Sequence, residues 1–308
     1  MTDPAAALTD PAKRRLALTL QYDGSAFHGW QSQPDAVTVQ STLEDVLSTL
    51  FAEPTRVVAA GRTDAGVHAT GQVASVDAPA KWAPEDLLRA ANALLPGSVL
   101  VTDVVPVADD FHARFSAVAR GYAYRLGLAP ESRSPFVRPF CWPLGEPLAR
   151  GVLDDAAAAL RGPGSFAAFA KAGQEERGHR CTVHVAAWHD WAGFGLTFHV
   201  VADRFLHHMV RYLVGTMVEM ARGARPAEDL ATLLAAGPGQ VTSSGARPGE
   251  VTSSAAGPGQ VTSSAARPGL VTSPPAPPGG LFLARVYYEA DDVARDARSG
   301  APPTLPIP

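Results

Sequence analysis

Apolar and polar positions alternate at the start of the chain. Leu16, Leu18, Leu20 and Tyr22 fall on one face of the run 15–22, the period of a half-buried strand. Val39, Leu43, Val46, Leu47 and Leu50 then recur at helical spacing, so 38–51 reads as an amphipathic helix with Thr38 as its cap. Residues 55–60, with Val57 and Val58, read as a short strand, and 71–77 alternates again as another. Pro84-Glu85-Asp86 opens the next helix, with proline in the first turn and acids at the positive end of the dipole. A strand over 99–107 closes this half. The order then repeats: strand 116–128, helix 147–161, strands 182–189 and 194–202, helices 205–222 and 226–236, and a last strand 281–289. It predicts an α+β protein of two similar halves with antiparallel sheets, 13–112 and 113–236 plus 277–291, between tails at 1–12 and 292–308 expected to be disordered.

One segment breaks the pattern. The unit Gly237-Pro238-Gly239-Gln240-Val241-Thr242-Ser243-Ser244-Gly245-Ala246 recurs with starts at 247, 257 and 267. Each unit carries essentially one apolar residue, Val241, Val251, Val261 or Val271, too little burial to offset the entropy of ordering it as a solenoid. Residues 237–276 are therefore expected to be a flexible, functionally neutral loop insertion, with Arg247 and Arg267 as its only basic side chains.

Composition narrows the class only modestly. A chain of 308 residues buries a sizeable core, and two cysteines, Cys141 and Cys181, make neither a disulfide framework nor a zinc site. No apolar run suits a signal peptide or a membrane span, so the cytoplasm is expected. The net charge of −4 argues at first against a nucleic-acid partner. Its distribution corrects this: residues 1–110 carry −7, 111–225 carry +5 and 226–308 carry −2. The basic middle holds Arg114, Arg120, Arg125, Arg133, Arg138, Lys171, Arg177, Arg180, Arg204 and Arg211, with seven of the nine histidines. Phosphate contacts from such a region would weaken with salt.

The densest chemistry lies in Gly61-Arg62-Thr63-Asp64-Ala65-Gly66-Val67-His68, a carboxylate between glycines and two residues after an arginine. Glycines allow a tight connection there, so Asp64 is expected on an exposed loop between two strands, with the nearby arginine favouring its ionised form. By charge and spacing alone, such a loop is more often a turn with a surface ion pair.

As a full string, GRTDAGVH resembles the signature of the tRNA pseudouridine synthase A family, whose aspartate is catalytic. Four further blocks match in order: Tyr22-Asp23-Gly24-Ser25 with Phe27, Gly29-Trp30-Gln31 and Gln33; Asp110-Phe111-His112-Ala113-Arg114-Phe115-Ser116-Ala117 with Arg120, Tyr122 and Tyr124; Phe205-Leu206-His207-His208-Met209-Val210-Arg211 with Gly215; and Pro278-Gly279-Gly280-Leu281-Phe282-Leu283. The resemblance implies the pseudouridine synthase fold, its two halves joined around a central RNA-binding cleft. It also implies isomerisation of uridine at positions 38, 39 and 40 of the tRNA anticodon stem-loop, by a homodimer in which one tRNA spans both subunits.

That reaction needs an ionised carboxylate as nucleophile or base, a cation to keep it charged, and a flat aromatic to hold the loosened uracil. The family match gives these roles to Asp64, Arg211 and Tyr122. It makes Arg62 the side chain that fills the space left by a flipped base, and Leu281 an apolar wall near it, with ordinary core packing as the alternative for Leu281. His207, His208 and Arg114 are further candidates for RNA contact. The isomerisation has no redox step and needs no cofactor or metal. On a helix the adjacent His207 and His208 would point about 100° apart, unlike paired ligands. Two rival functions remain: an RNA-binding module without catalysis, which has no use for the intact Asp64, Arg62 and Tyr122 set, and a hydrolase, which needs a second carboxylic acid where the motif region offers only Asp77.

Overall fold

The computed structural model describes residues 13–170, 178–237, 241–243, 270–300 and 305. In chain order the first elements are β1 (Lys13–Tyr22), α1 (Val39–Phe51), β2 (Val58–Ala59), β3 (His68–Pro79), α2 (Pro84–Leu94), β4 (Val99–Pro106), β5 (Ala119–Gly127) and β6 (Trp142–Pro143). Then come α3 (Arg150–Ala159), β7 (Gly162–Ser165), β8 (Arg180–Trp191), β9 (Gly195–Ala202), α4 (Met209–Ala221), α5 (Asp229–Ala235), β10 (Val241–Ser243), β11 (Leu270–Thr272), β12 (Leu281–Tyr287) and α6 (Ala290–Ser299). No helix among the described residues is long and apolar enough to cross a membrane.

The chain forms two compact units, and they do not follow a cut near residue 112. One comprises 1–147, 183–204 and 277–308; the other comprises 148–182 and 205–276. The first carries a mostly antiparallel sheet in the order β4-β1-β3-β12-β5-β9-β8. Its central strand is the last in sequence: β12 pairs parallel with β3 at Phe282 and antiparallel with β5. The late strand thereby joins strands from the two repeated halves of the sequence. The alternating face of β1 is the core face, with Leu16, Leu18 and Leu20 fully buried. Against it pack Val39, Leu43 and Leu47 of α1, whose start is closed by a reciprocal capping box between Thr38 and Ser41. Glu44, buried on the same helix, accepts hydrogen bonds from Gln40, from Arg56 and from the Val57 backbone N–H (2.9, 2.7 and 3.0 Å). These fix the chain as it enters β2.

Two expectations fail here. The tail beyond 291 is not structureless, because α6 lies at 290–299: Val293 packs with Ala119, Val185, Val201 and Tyr287, while Asp296 pairs with Arg285 and accepts from the Tyr287 hydroxyl. Its charge-rich sequence hid a single apolar anchor. Nor does the repeat insertion run unstructured to 276. β10 and β11 pair in parallel, Val241 opposite Leu270 through Ser243 opposite Thr272, and the next residues run along α4. Gly215 of α4 makes room for them, since a Cβ there would collide with Pro274 O, and Thr272 and Ser273 are buried. Repeat residues 244–269 and the tail 1–12 lie outside the described residues.

Candidate active site

Asp64 lies on the connection from β2 to β3, partly buried, with Arg62 exposed and Thr63 buried between them. The loop is held from outside by the residues after β1. Trp30 N–H donates to Thr63 O (3.0 Å), and the turn itself closes by Val67 N–H to Asp64 O (3.1 Å). Gly29 adopts φ +89°, and a Cβ there would stand 2.8 Å from Thr63 O and 3.1 Å from Ala65 N. At Gly24 a Cβ would run into Val67 O. The two glycines of the first block thus permit backbone to lie directly against the backbone that carries Asp64.

His68, the last residue of the motif, pins the far end. Its Nδ1 accepts from Gly24 N–H (3.1 Å), so Nε2 carries the proton and donates to Pro139 O (3.2 Å). The ring stacks on Phe282 of β12 at 4.9 Å. Burial lowers its pKa, with the nearby Asp23 carboxylate opposing that shift.

Tyr122 reaches the same loop from β5, where its neighbours across the sheet are Leu283 and Val200. A Cβ at Gly61 would lie 3.8 Å from the Tyr122 hydroxyl oxygen. Burial pushes the phenol up to about 12; Arg120 opposes the shift and the Asp64 charge adds to it. Tyr122 is therefore a neutral, half-buried ring beside Asp64. Arg62, Asp64 and Tyr122 lie in the same unit, although the sequence halves would have parted Tyr122 from the other two.

Other candidates divide. Leu281 is buried at the start of β12 opposite Tyr124, which is a core position. Arg114 lies on the turn before β5, its guanidinium 5.8 Å from the centre of the exposed Phe115 ring. Arg120 and Arg125, counted in the basic middle, do not form part of a solvated surface. Arg120 donates to the carbonyls of Ala60 (3.0 Å), Ala117 (3.1 Å) and Arg114, so it ties the 114–117 turn to the strand that enters the motif. Arg125 is buried, 4.5 Å from the centre of the Trp191 ring and 5.6 Å from that of Phe282, and burial lowers its pKa to about 10. Lys171 and Arg177 lie outside the described residues.

His207, His208 and Arg211 belong to the other unit. The expected helix over 205–222 begins only at Met209, and His208 takes the left-handed conformation at φ +64° before it. The two histidine rings consequently approach to 4.1 Å instead of diverging as on a helix, which removes that geometric objection to their acting as a pair. Arg211, in the first turn of α4, donates from Nε to Ala276 O (2.7 Å), and its own carbonyl accepts from Ala276 N–H (2.9 Å). The last residue of the fourth repeat thus holds the guanidinium.

Asp77 does not serve as a second acid. Its carboxylate takes two hydrogen bonds from Arg15, both 2.8 Å. It stands nine positions along β3 from His68, about 30 Å of strand, whereas paired glycosidase carboxyls stand roughly 5–9.5 Å apart.

The sequence reading missed Tyr22, Gln72, His68 and Arg120 as supports of the loop. The close glycines Gly24 and Gly29 were the available signal, since adjacent backbones leave room for no other residue.

The sequence profile of a family described as tRNA pseudouridine synthase matches residues 19–116 and 156–248. A tRNA pseudouridine synthase A from Solidesulfovibrio magneticus is 43% identical over 240 residues, spanning 72% of this chain and 83% of that protein. Proteins of the same description from Myxococcus xanthus (40% identical over 221 residues) and Xanthomonas axonopodis pv. citri (41% over 226) each align with 72% of this chain, covering 83% and 86% of their own lengths.

Proposed function

We propose that Asp64 is the nucleophile of this chain, which belongs to the tRNA pseudouridine synthase family and isomerises uridine in tRNA, and that its targets are uridines 38, 39 and 40 of the anticodon stem-loop. The observation that carries the assignment is the Asp64 loop itself, clamped backbone to backbone by Gly24 and Gly29 and faced by the neutral ring of Tyr122.

The reaction breaks the N1–C1′ bond of uridine and joins C5 to C1′. The C5 proton leaves to solvent and N1 gains one, so the product is an isomer and the carboxylate is regenerated. Asp64 provides the nucleophile. Tyr122 lies against the loosened uracil and limits its tumbling while it turns. Arg211 is the cation that favours the charged carboxylate, a role supported by the family motif. Arg62, exposed two residues before Asp64, occupies the gap left in the stem when the base swings out, a step that costs about a few kcal/mol. His207, His208 and Arg114 contact the RNA. The enzyme acts in the cytoplasm as a homodimer, one tRNA bridging the subunits.

Site choice is tested with tRNA transcripts that carry a single uridine at 38, 39 or 40, mapping pseudouridine by chemical modification and primer extension. Product at these positions alone is expected; product only outside the anticodon stem-loop would overturn the target assignment. Light scattering of the free enzyme and of its tRNA complex tests the dimer.

A further inference from the structure

Three side chains beneath the Asp64 loop are buried, polar and bonded to one another, and the chemistry above uses none of them. Gln72 on β3 has no exposed surface. Its side-chain amide donates to Gly61 O at 2.7 Å and lies 3.4 Å from the Tyr22 hydroxyl, while its own oxygen accepts from Val73 N–H at 3.2 Å. Tyr22, 5% exposed on β1, shares a 2.8 Å hydrogen bond with the Thr63 hydroxyl, itself 7% exposed. The chain Gln72–Tyr22–Thr63 therefore runs from one strand to another and ends on the loop at two points. Those points, Gly61 O and Thr63 Oγ1, flank Arg62, and Thr63 directly precedes Asp64.

An apolar trio would fill this space without the cost of burying three polar groups, which is recovered only when every bond is made with good geometry. What the polar trio adds is direction: each bond fixes one atom of the loop. Trp30 N–H on Thr63 O gives the same residue a further tie, through its backbone. A catalytic group needs its supporting shell to within about 0.5 Å, and a two-point tie on either side of Arg62 supplies that for Arg62 and Asp64 together.

We infer that Tyr22, Thr63 and Gln72 are positioning residues of the isomerisation, a hydrogen-bonded strut that fixes the Arg62–Asp64 backbone against the flipped uridine. The inference rests on the family activity. It predicts a defect in the chemical step rather than in tRNA binding.

The test uses the full chain and three substitutions. Thr63→Val keeps the shape and loses the hydroxyl, Tyr22→Phe loses the phenol oxygen, and Thr63→Ser keeps the hydroxyl. Single-turnover tritium release from 5-tritiated uridine tRNA at saturating enzyme is compared with the tRNA Kd and the thermal midpoint. Thr63→Val and Tyr22→Phe should each slow release about 10- to 100-fold, with Kd within about twofold of wild type and Thr63→Ser close to wild type. Because the two losses remove one shared bond, the double variant should be no slower than the worse single one. A wild-type rate in folded Thr63→Val, equal losses in Thr63→Val and Thr63→Ser, or a loss confined to Kd would overturn the inference. If Thr63→Val fails to fold, Tyr22→Phe and Thr63→Ser decide the matter by the same readouts. Failure of the family activity would look different, since wild type would then release no tritium.

Discussion

Replacing Gly29 by alanine tests the claim that the first block exists to seat the Asp64 loop. The position has φ +89°, and the left-handed region costs a residue with a Cβ about 1–2 kcal/mol. The new methyl would stand 2.8 Å from Thr63 O, 3.1 Å from Ala65 N and 3.2 Å from Asp64 C. Comfortable contact begins near 3.5 Å, so the loop must retreat by about half an ångström. Catalysis tolerates misplacement of that order poorly, about 100-fold in rate for 1 Å, which puts the expected loss of single-turnover rate near tenfold. Stability should fall by about 2 kcal/mol, a shift in thermal midpoint of roughly 4–8 °C for a body of this size. Tritium release well below that midpoint separates the two effects. Gly97→Ala is the control, because no atom lies within 4 Å of the added methyl and both readouts should stay at wild type. A Gly29→Ala enzyme that is destabilised yet turns over at the wild-type rate would refute the seating argument.

Two further predictions follow from the same structure. Deleting 247–266 retains β10, β11 and the stretch that touches Arg211, and should leave turnover within about twofold of wild type, whereas deleting 247–276 also removes the Ala276 contacts and should cost about tenfold or more in the chemical step; equal activity of the two deletions would show that Arg211 needs no such support. His199, buried on β9, has its pKa lowered to about 4, first by burial and then by His189, with Asp296 opposing. Its contribution to stability is intact above the unfolded value near 6.5. As pH falls from there towards 4, the unfolded chain takes a proton that the folded chain refuses, and about 3 kcal/mol is lost. Urea midpoints at pH 7.5 and 4.5 should therefore converge in His199→Gln relative to wild type, and identical pH dependence in the two proteins would refute this.

Much of the fold was legible because period and burial coincide. The alternation of β1, the helical spacing of α1 and the proline that opens α2 each name an element whose core face the structure confirms. Parallel pairing of β12 with β3 was not legible, since nothing local in Leu281–Tyr287 says which strands it will separate. α6 escaped although Ala290, Val293, Ala294 and Ala297 fall at helical spacing, because three of those four positions are alanines and only Val293 is large enough to stand out in a charged run. At the site, the motif pointed to Asp64, Arg62 and Tyr122, which share one unit. Its supports were hidden for a physical reason: Tyr22 and Gln72 sit in strands whose pattern reads as ordinary alternation, and only the fold shows that their polar ends meet the loop. Arg125 shows the converse, a cation that composition places on the surface and packing places under Trp191.

The most direct test of the account is tritium release by Asp64→Asn, which removes a charge and changes almost no volume. With unmodified tRNA carrying 5-tritiated uridine, wild type should expel the label as the new carbon bond forms, and Asp64→Asn should release none while keeping its thermal midpoint and its tRNA Kd. Pseudouridine formed by the folded Asp64→Asn enzyme would contradict the account at its centre.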